Sequence, residues 1–226
     1  MKDIQNQSDS RRIDIRKVGV KTVSYPIVLL DKAHSRQHTV ATVNMYVNLP
    51  HHFKGTHMSR FVEILGACHG EIDLPNFHVI LEKMKERLQA KASHLEMFFP
   101  YFLQRDKVNA SLPIKYECGF IGSLTDECDI RLTLTIPVFN SGADRFGRRG
   151  HIDISVSFKK FLWIEDIISL IEERIVCLQN QEKEFSASLL AREVGEVLSQ
   201  KEEIVEYDLT AHHYCNDYTS LARVRS

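Results

Sequence analysis

Four side chains that can bind metal ions lie close together near the end of the sequence. They are His212, His213, Cys215 and Asp217. Imidazole, thiolate and carboxylate groups are the usual protein ligands of transition metals, but this spacing matches no established ligand pattern. In a β-strand, His213 and Cys215 would share one face and His212 would lie on the other. The segment is therefore a candidate metal site, and packing or surface roles are the alternative.

A dense group of positive charges lies in the segment RFGRRGH. It contains Arg145, Arg148, Arg149 and His151. Arginine forks bind phosphate oxygens in pairs, so the segment predicts contact with a phosphate or another anion. The alternative is a solvated turn whose arginines contribute nothing measurable.

A second basic motif, KGTHMSRF, lies where a predicted strand gives way to a predicted helix. Its polar residues include Lys54, His57, Ser59 and Arg60. Donors at a helix N-terminus suit a phosphate or carboxylate, so this motif is a second candidate anion site. The alternative is a contact between subunits or a helix cap formed by Thr56 and Ser59.

The composition excludes several classes of protein. The chain has 226 residues, 43% of them hydrophobic and 26% charged, with a net charge of −1. A nucleic-acid-binding domain is usually clearly basic, and a membrane span needs roughly 20 apolar residues, so neither partner is expected. The N-terminus lacks the apolar core of a secretory signal. The five cysteines form no CxxC pair, which predicts reduced thiols and a cytoplasmic location.

The pattern of apolar residues predicts twelve elements. Alternating or β-branched runs indicate strands, and apolar stripes at helical spacing indicate helices. The predicted strands are 18–30, 39–49, 94–103, 114–121, 129–139, 152–158, 204–209 and 220–224, and the predicted helices are 57–67, 75–91, 162–176 and 188–198.

These elements follow the order β-β-α-α-β-β twice. The order predicts an α+β fold of two tandem units, with antiparallel sheets and helices on one face of each sheet. The expected boundaries are a mobile N-terminal arm at 1–16, a first unit at 17–124 and a second unit at 128–226. An antiparallel sheet with uncovered edges also favours a homo-oligomer.

Three segments resemble the GTP cyclohydrolase type IB family, whose fold is the tandem T-fold. They are DIQNQSDSRRIDIRKVGVKTVSYPIVL, QHTVATVNMYVNLPHHFKGTHMSRFVEIL and HLEMFFPYFLQRDKVNASLPIKYECGFIG. The resemblance covers most of the chain, is specific in the first half and weakens after about residue 137.

The resemblance implies an enzyme of folate or pterin biosynthesis. Such an enzyme hydrolyses GTP at C8 of the purine, releases formate and forms dihydroneopterin triphosphate. It also implies a divalent metal ion (Zn²⁺, Mn²⁺ or Fe²⁺) that activates water, and active sites between the subunits of a homo-oligomer. In the family, a cysteine, a histidine and nearby carboxylate or histidine groups hold the metal, and a glutamate anchors the guanine.

The chain departs from the family pattern in the loop after Pro137-Val138. The family has C-P-C-S-K-E-I-S-x-Y-G-A-H-x-Q-R-x-H, whereas this chain has the shorter FNSGADRFGRRGHI. Gly142 falls near the place of the metal cysteine and Phe146 falls at the metal histidine, and neither can ligate a metal. Of this pattern only Arg149 and His151 match.

Later family motifs are also altered. Glu182 keeps a family ligand position, whereas Ser188 stands near the guanine-binding glutamate. In the family's closing E-S-I-H-x-H motif, His213 replaces the glutamate, and Asn216 and Tyr218 replace the histidines. The candidate catalytic residues are therefore His151, Glu182, His213 and Cys215, and the candidate metal ligands are Glu182, His212, His213 and Cys215.

These departures leave three functions open. The first is a cyclohydrolase acting on GTP or a related purine or pterin, with weak or absent turnover. The second is a non-catalytic paralogue that binds a purine or pterin, or that forms a hetero-oligomer with an active homologue and regulates it; such a protein needs no metal. The third is a divergent T-fold enzyme whose site is rebuilt from the candidate residues.

Overall fold

The computed structural model describes residues 15–32, 35–49, 57–68, 70, 72, 74–104, 113–139, 147–160, 162–180 and 185–226. Residues 1–14 of the predicted N-terminal arm lie outside this part, and the first strand begins at Ile15. The described residues form twelve elements in the order β-β-α-α-β-β-β-β-α-α-β-β. They are β1 (Ile15–Asp31), β2 (Ser35–Leu49), α1 (Met58–Gly66), α2 (Leu74–Arg87), β3 (Ser93–Leu103), β4 (Ile114–Leu124), β5 (Cys128–Phe139), β6 (Arg148–Phe158), α3 (Ile164–Asn180), α4 (Ala187–Ser199), β7 (Ile204–Tyr214) and β8 (Thr219–Arg225).

The eight strands form one sheet in sequence order. Strands β1–β2, β2–β3, β5–β6, β6–β7 and β7–β8 pair antiparallel. Short connections between sequential strands favour this arrangement, because antiparallel neighbours need no crossover. The α+β class with an antiparallel sheet, predicted from the element order, is confirmed.

The chain forms two compact units. The first contains residues 1–100 and 119–130, and the second contains residues 101–118 and 131–226. The boundaries predicted from the element order, 17–124 and 128–226, divide the chain differently from these compact units. They remain a prediction.

In the first unit, alternate residues of β2 and β3 are buried while their neighbours are more exposed. This period of two is typical of a sheet with one covered face. The apolar stripes of α1 and α2 are buried with the same strand face. The fully buried residues of this core include Val43, Met45, Phe61, Phe77, Ile80, Leu95 and Met97.

In the second unit, the same alternation separates a helix-covered face from a helix-free face. The isoleucine stripe of α3 at helical spacing is buried. Helix α4 begins after Ser186, whose hydroxyl accepts a hydrogen bond from the Leu189 amide. The covered core includes Ile152, Ile154, Ile168, Ile171, Leu190, Val194, Leu209 and Ala211.

Two strands of the second unit extend beyond the predicted ranges. Strand β6 begins at Arg148 rather than at Ile152, and β7 ends at Tyr214 rather than at Leu209. The added ends are polar, so the apolar alternation did not reveal them, whereas backbone pairing is indifferent to side-chain polarity. The extension places His151, His212 and His213 in paired strands.

Two further findings bear on the composition analysis. No helix among the described residues is long and apolar enough to cross a membrane. All five cysteines lie in the described part of the chain, and no disulfide links them.

Candidate functional site

The candidate site residues that the structure brings together lie where the start of β6 pairs with the end of β7. His151 is opposite His212, and Gly150 is opposite His213. Because side chains alternate along a strand, the adjacent residues His212 and His213 point to opposite faces of the sheet. This end of the second unit therefore carries two separate clusters.

The first cluster, on the helix-free face, consists of His151, Asp153 and His212, and we call it the histidine cluster. Nε2 of His151 and Nε2 of His212 each lie 3.4 Å from Oδ2 of Asp153. The two imidazole rings are stacked, with centroids 4.2 Å apart and planes 7° apart. The strands supply this geometry directly, since His151 and His212 are register partners and Asp153 is two residues along β6.

Two neighbouring hydroxyl groups contact the histidine cluster. The Thr135 hydroxyl, opposite Asp153 in the β5–β6 pair, donates to Oδ1 of Asp153 over 2.7 Å. The Tyr214 hydroxyl lies 2.7 Å from Nδ1 of His151. These hydroxyl groups contact Oδ1 of Asp153 and Nδ1 of His151. The other polar atom of each side chain, Oδ2 of Asp153 and Nε2 of His151, faces the interior of the cluster.

Protonation of His151 is disfavoured in this position. Burial lowers the pKa of the His151 imidazole, and the nearby His212 and Arg148 lower it further, while Asp153 acts in the opposite sense. A pKa below the ordinary value keeps the ring neutral at pH 7, and the neutral imidazole is the metal-binding form.

The histidine cluster is chemically able to hold a metal ion. Its three ligand atoms all lie within 4.8 Å of one another, and in the described part of the chain it is the one such group of His, Cys, Asp and Glu side chains. Two imidazole nitrogens and a carboxylate oxygen suit Zn²⁺, Fe²⁺ or Mn²⁺.

The second cluster, at the ends of β6 and β7, consists of Arg149, Phe185, His213 and Cys215, and we call it the arginine cluster. The Arg149 guanidinium lies over the Phe185 ring, 4.7 Å from its centroid. The Phe185 and His213 rings meet edge to face at 5.7 Å, and Nδ1 of His213 lies 3.9 Å from Sγ of Cys215. Burial lowers the pKa of His213, and the positive charge of Arg149 lowers it further. The Arg149 cation can bind a negatively charged group, and the rings of Phe185 and His213 can contact a planar one, so the cluster suits a ligand that is both planar and anionic.

The structure divides the predicted metal ligands between these clusters. His213 and Cys215 lie together, but His212 belongs to the other face with His151. Asp217 is exposed in the turn before β8. Glu182 lies outside the described residues. Sequence reasoning missed Asp153, because the predicted strand 152–158 did not include His151. In the observed β6 strand, the spacing His151-x-Asp153 places both side chains on one face.

The predicted anion site at KGTHMSRF is only partly described, because Lys54 and Thr56 lie outside the described residues. His57 is the N-cap of α1 and makes no side-chain cap hydrogen bond. The alternative in which Ser59 caps the helix is wrong, since Ser59 lies inside α1. Nη1 of Arg60 donates to the Arg87 carbonyl at the end of α2, which ties the two helices together.

Comparison with solved structures defines the class of fold. The chain resembles the uricase from Arthrobacter globiformis with a TM-score of 0.62 and 9% identity, covering 93% of this chain and 92% of that one. A uricase from Bacillus fastidious gives a TM-score of 0.60 at 7% identity, covering 96% and 94%. At these identities the likeness concerns the fold, an α+β architecture of antiparallel sheet and helices.

Comparison of sequences identifies the family. The family model described as "Type I GTP cyclohydrolase folE2" matches residues 1–142. A GTP cyclohydrolase FolE2 from Syntrophus aciditrophicus is 39% identical over 240 residues, covering 95% of this chain and 94% of that protein. A second, from Geobacter metallireducens, is 49% identical over 183 residues, covering 76% and 70%. The chain belongs to the type I GTP cyclohydrolase FolE2 family.

Proposed function

We propose that this protein binds GTP as a member of the GTP cyclohydrolase family, and that its hydrolysis of the purine ring is weak or absent. The observation that carries GTP binding is the 39% identity along 95% of the chain to a protein named GTP cyclohydrolase FolE2. Identity of this extent preserves the fold and the general position of the ligand site, while turnover depends on individual side chains.

The residues at the family's metal positions do not fit a metal ion. Gly142 and Phe146 offer no donor atom, and the whole segment from Phe139 to Gly150 contains no cysteine or histidine. Elsewhere in the second unit, His213 and Cys215 provide two donor atoms 3.9 Å apart, beside the positive charge of Arg149. A nearby cation repels a second cation, so we derive no catalytic step through a metal at this position.

The arginine cluster supports binding of an anionic purine. Arg149 is held over Phe185, which fixes its fork for bidentate contact with phosphate oxygens. Arg148 is exposed at the start of β6 and provides a second cation for a triphosphate. The two arginines and the Phe185 ring provide binding contacts without catalytic groups. They therefore also favour the second candidate function, a non-catalytic protein that binds a purine or pterin and regulates an active homologue.

We further propose that the fold is a tandem T-fold assembled into a homo-oligomer. The repeated order β-β-α-α-β-β supports units at 17–124 and 128–226. The strand order, with β1 and β8 at the two edges of the sheet, supports assembly because uncovered edges favour pairing with another chain.

The test separates binding from turnover. GTP binding is measured by calorimetry for the unaltered protein, Arg149→Ala and the matched control Arg192→Ala, an exposed arginine on α4. We expect Arg149→Ala to weaken binding at least about tenfold, or about 1.4 kcal/mol, and Arg192→Ala to leave it unchanged. Because a bound phosphate favours the imidazolium, GTP is also expected to raise the pKa of His213 in an NMR titration. Equal effects of the two arginine variants, or no binding at all, would contradict the proposal.

Turnover is measured as release of formate and a fluorescent pterin from GTP with added Zn²⁺, Mn²⁺ or Fe²⁺. We expect little or no product. Robust metal-dependent release that is lost in Cys215→Ser would show a catalytic site rebuilt in the arginine cluster. Robust release that survives this substitution would mean that other residues carry the reaction.

A further inference from the structure

We propose that the histidine cluster binds one divalent transition-metal ion through Nε2 of His151, Nε2 of His212 and Oδ2 of Asp153. This site lies on the helix-free face of the second unit. It uses His151, which matches the family's loop pattern, but neither of the positions, Gly142 and Phe146, at which the family's metal ligands are missing. The proposal goes beyond the proposed nucleotide function and does not depend on it.

Two of the three separations between ligand atoms fit a tetrahedral ion, and binding also requires the stacked imidazole rings to turn so that both Nε2 lone pairs point at the ion. Zn²⁺ bonds to imidazole nitrogen and carboxylate oxygen are about 2.0–2.1 Å long, so two ligand atoms of a tetrahedral site are separated by about 3.3–3.4 Å. Both nitrogens of the cluster lie 3.4 Å from Oδ2 of Asp153. A charge-assisted N–H···O hydrogen bond is shorter, about 2.7–2.9 Å. Each of these two separations therefore matches a pair of ligands on one ion better than a direct hydrogen bond, and all three ligand atoms lie within 4.8 Å of one another.

Neighbouring groups orient the ligands as they do in established metal sites. Metal-binding histidines usually engage their other ring nitrogen, and ligating carboxylates are themselves hydrogen-bonded. Here Nδ1 of His151 contacts the Tyr214 hydroxyl, and Oδ1 of Asp153 accepts from Thr135, both over 2.7 Å. Each contact leaves the second atom of the side chain directed at the cluster. The β5–β6–β7 pairing fixes all the backbones involved.

The donor set narrows the class of ion. Two nitrogens and one oxygen favour Zn²⁺, Fe²⁺ or Mn²⁺ over Mg²⁺ and Ca²⁺, which prefer oxygen ligands. The Cys215 thiol contacts His213 on the other side of the strand, so it does not join this site. The side chains of His151, Asp153 and His212 are 26%, 47% and 22% exposed, so an ion reaches them from solvent. Three protein ligands also leave a coordination position for water or a small ligand.

The test is a metal titration of the full chain without nucleotide. Zn²⁺ binding is measured by calorimetry, and Co²⁺ is used as a spectroscopic probe because its visible absorption is stronger in tetrahedral than in octahedral sites. We expect one ion per chain and a tetrahedral Co²⁺ spectrum. Substituting a group that only orients a metal ligand typically lowers metal affinity about 10–100-fold. His212→Gln and Asp153→Asn change the ligands themselves, so each should lower Zn²⁺ affinity by more than this.

His213→Gln is the matched control, because it removes the adjacent histidine from the opposite face. We expect it to leave Zn²⁺ affinity and the Co²⁺ spectrum unchanged. A Tyr214→Phe variant, which keeps all three ligands, should weaken binding about tenfold, and circular dichroism of each variant establishes that it is folded.

Three results would overturn the proposal. They are no stoichiometric Zn²⁺ binding, retention of binding in folded His212→Gln, and a loss in His213→Gln as large as in His212→Gln. The last would assign the ion to the arginine cluster instead. The metal titration contains no GTP. A negative result would therefore count against the metal site and not against GTP binding, which is tested separately with Arg149→Ala.

Discussion

Replacing Gly150 by alanine adds one methyl group against the backbone of β7. A Cβ atom at this position would lie 2.0 Å from the carbonyl oxygen of His212 and 3.1 Å from its carbonyl carbon. Real Cβ atoms stay at least 3.0 Å from such neighbours, so one backbone must move by 3.0 − 2.0 = 1.0 Å or more. Because both partners are backbone atoms of a paired strand, no side-chain rotation relieves the clash.

The cost follows from this displacement. Overpacking a well-packed region costs about 1–3 kcal/mol, and replacing glycine in a strand returns about 0.5–1 kcal/mol of backbone entropy. Because the clash is with backbone atoms, we take the upper part of the overpacking range, about 2–3 kcal/mol, and about 1 kcal/mol of returned entropy. We therefore expect Gly150→Ala to lower the free energy of unfolding by about 1–2 kcal/mol. For a chain of this size, that corresponds to a Tm lower by roughly 2–8 °C.

Thermal melting followed by circular dichroism measures this loss, with Gly66→Ala as the matched control. Gly66 lies in α1, and a Cβ there would have nothing within 4 Å. Alanine is the better helix former, so this variant should melt at the same temperature or higher. The displacement beside His212 should also weaken Zn²⁺ binding by the histidine cluster. Equal melting temperatures for the two variants would refute the steric reasoning.

Three further predictions concern stability. Tyr116→Phe removes the hydroxyl that donates to the Glu172 carboxylate, and urea denaturation should show a loss of about 1.5–3 kcal/mol, since a hydrogen bond to a charged group is lost. Ser186→Ala removes the N-cap of α4 and should cost about 1 kcal/mol, whereas Ser186→Asp, which restores a capping oxygen, should recover it. Burial lowers the pKa of His94 in the folded state, so the unfolded state binds more protons as pH falls below about 6.5 and stability declines there. His94→Gln should lose less stability between pH 7.5 and pH 5.5 than the unaltered protein, and parallel losses would contradict this assignment.

The element order was predictable from the sequence because apolar residues recur with the period of each element. The stripe of Ile164, Ile167, Ile168, Ile171 and Ile175 is buried in α3 as its spacing predicts. Strand ends were less predictable, since polar residues pair through their backbones as well as apolar ones do.

The candidate site was predictable only in part. The alternation of β7 correctly separates His212 from His213, but the partner of His212 depends on the register between β6 and β7, which no local pattern specifies. A bulge between Val138 and Phe139 further shifts the start of β6 against β5. Asp153 was not predicted as a ligand because a lone acidic residue in a strand usually faces solvent.

The alternation along β7 also has an evolutionary consequence. His212 and His213 are neighbours in the sequence, yet each contributes to a different chemical environment. Substitutions at the two positions are therefore subject to separate selection, and one cluster can be lost while the other is kept. An insertion or deletion of a single residue in β7 would exchange the two faces and disrupt both clusters at once. Among relatives, we expect point substitutions to separate these two histidines and length changes within the strand to be rare.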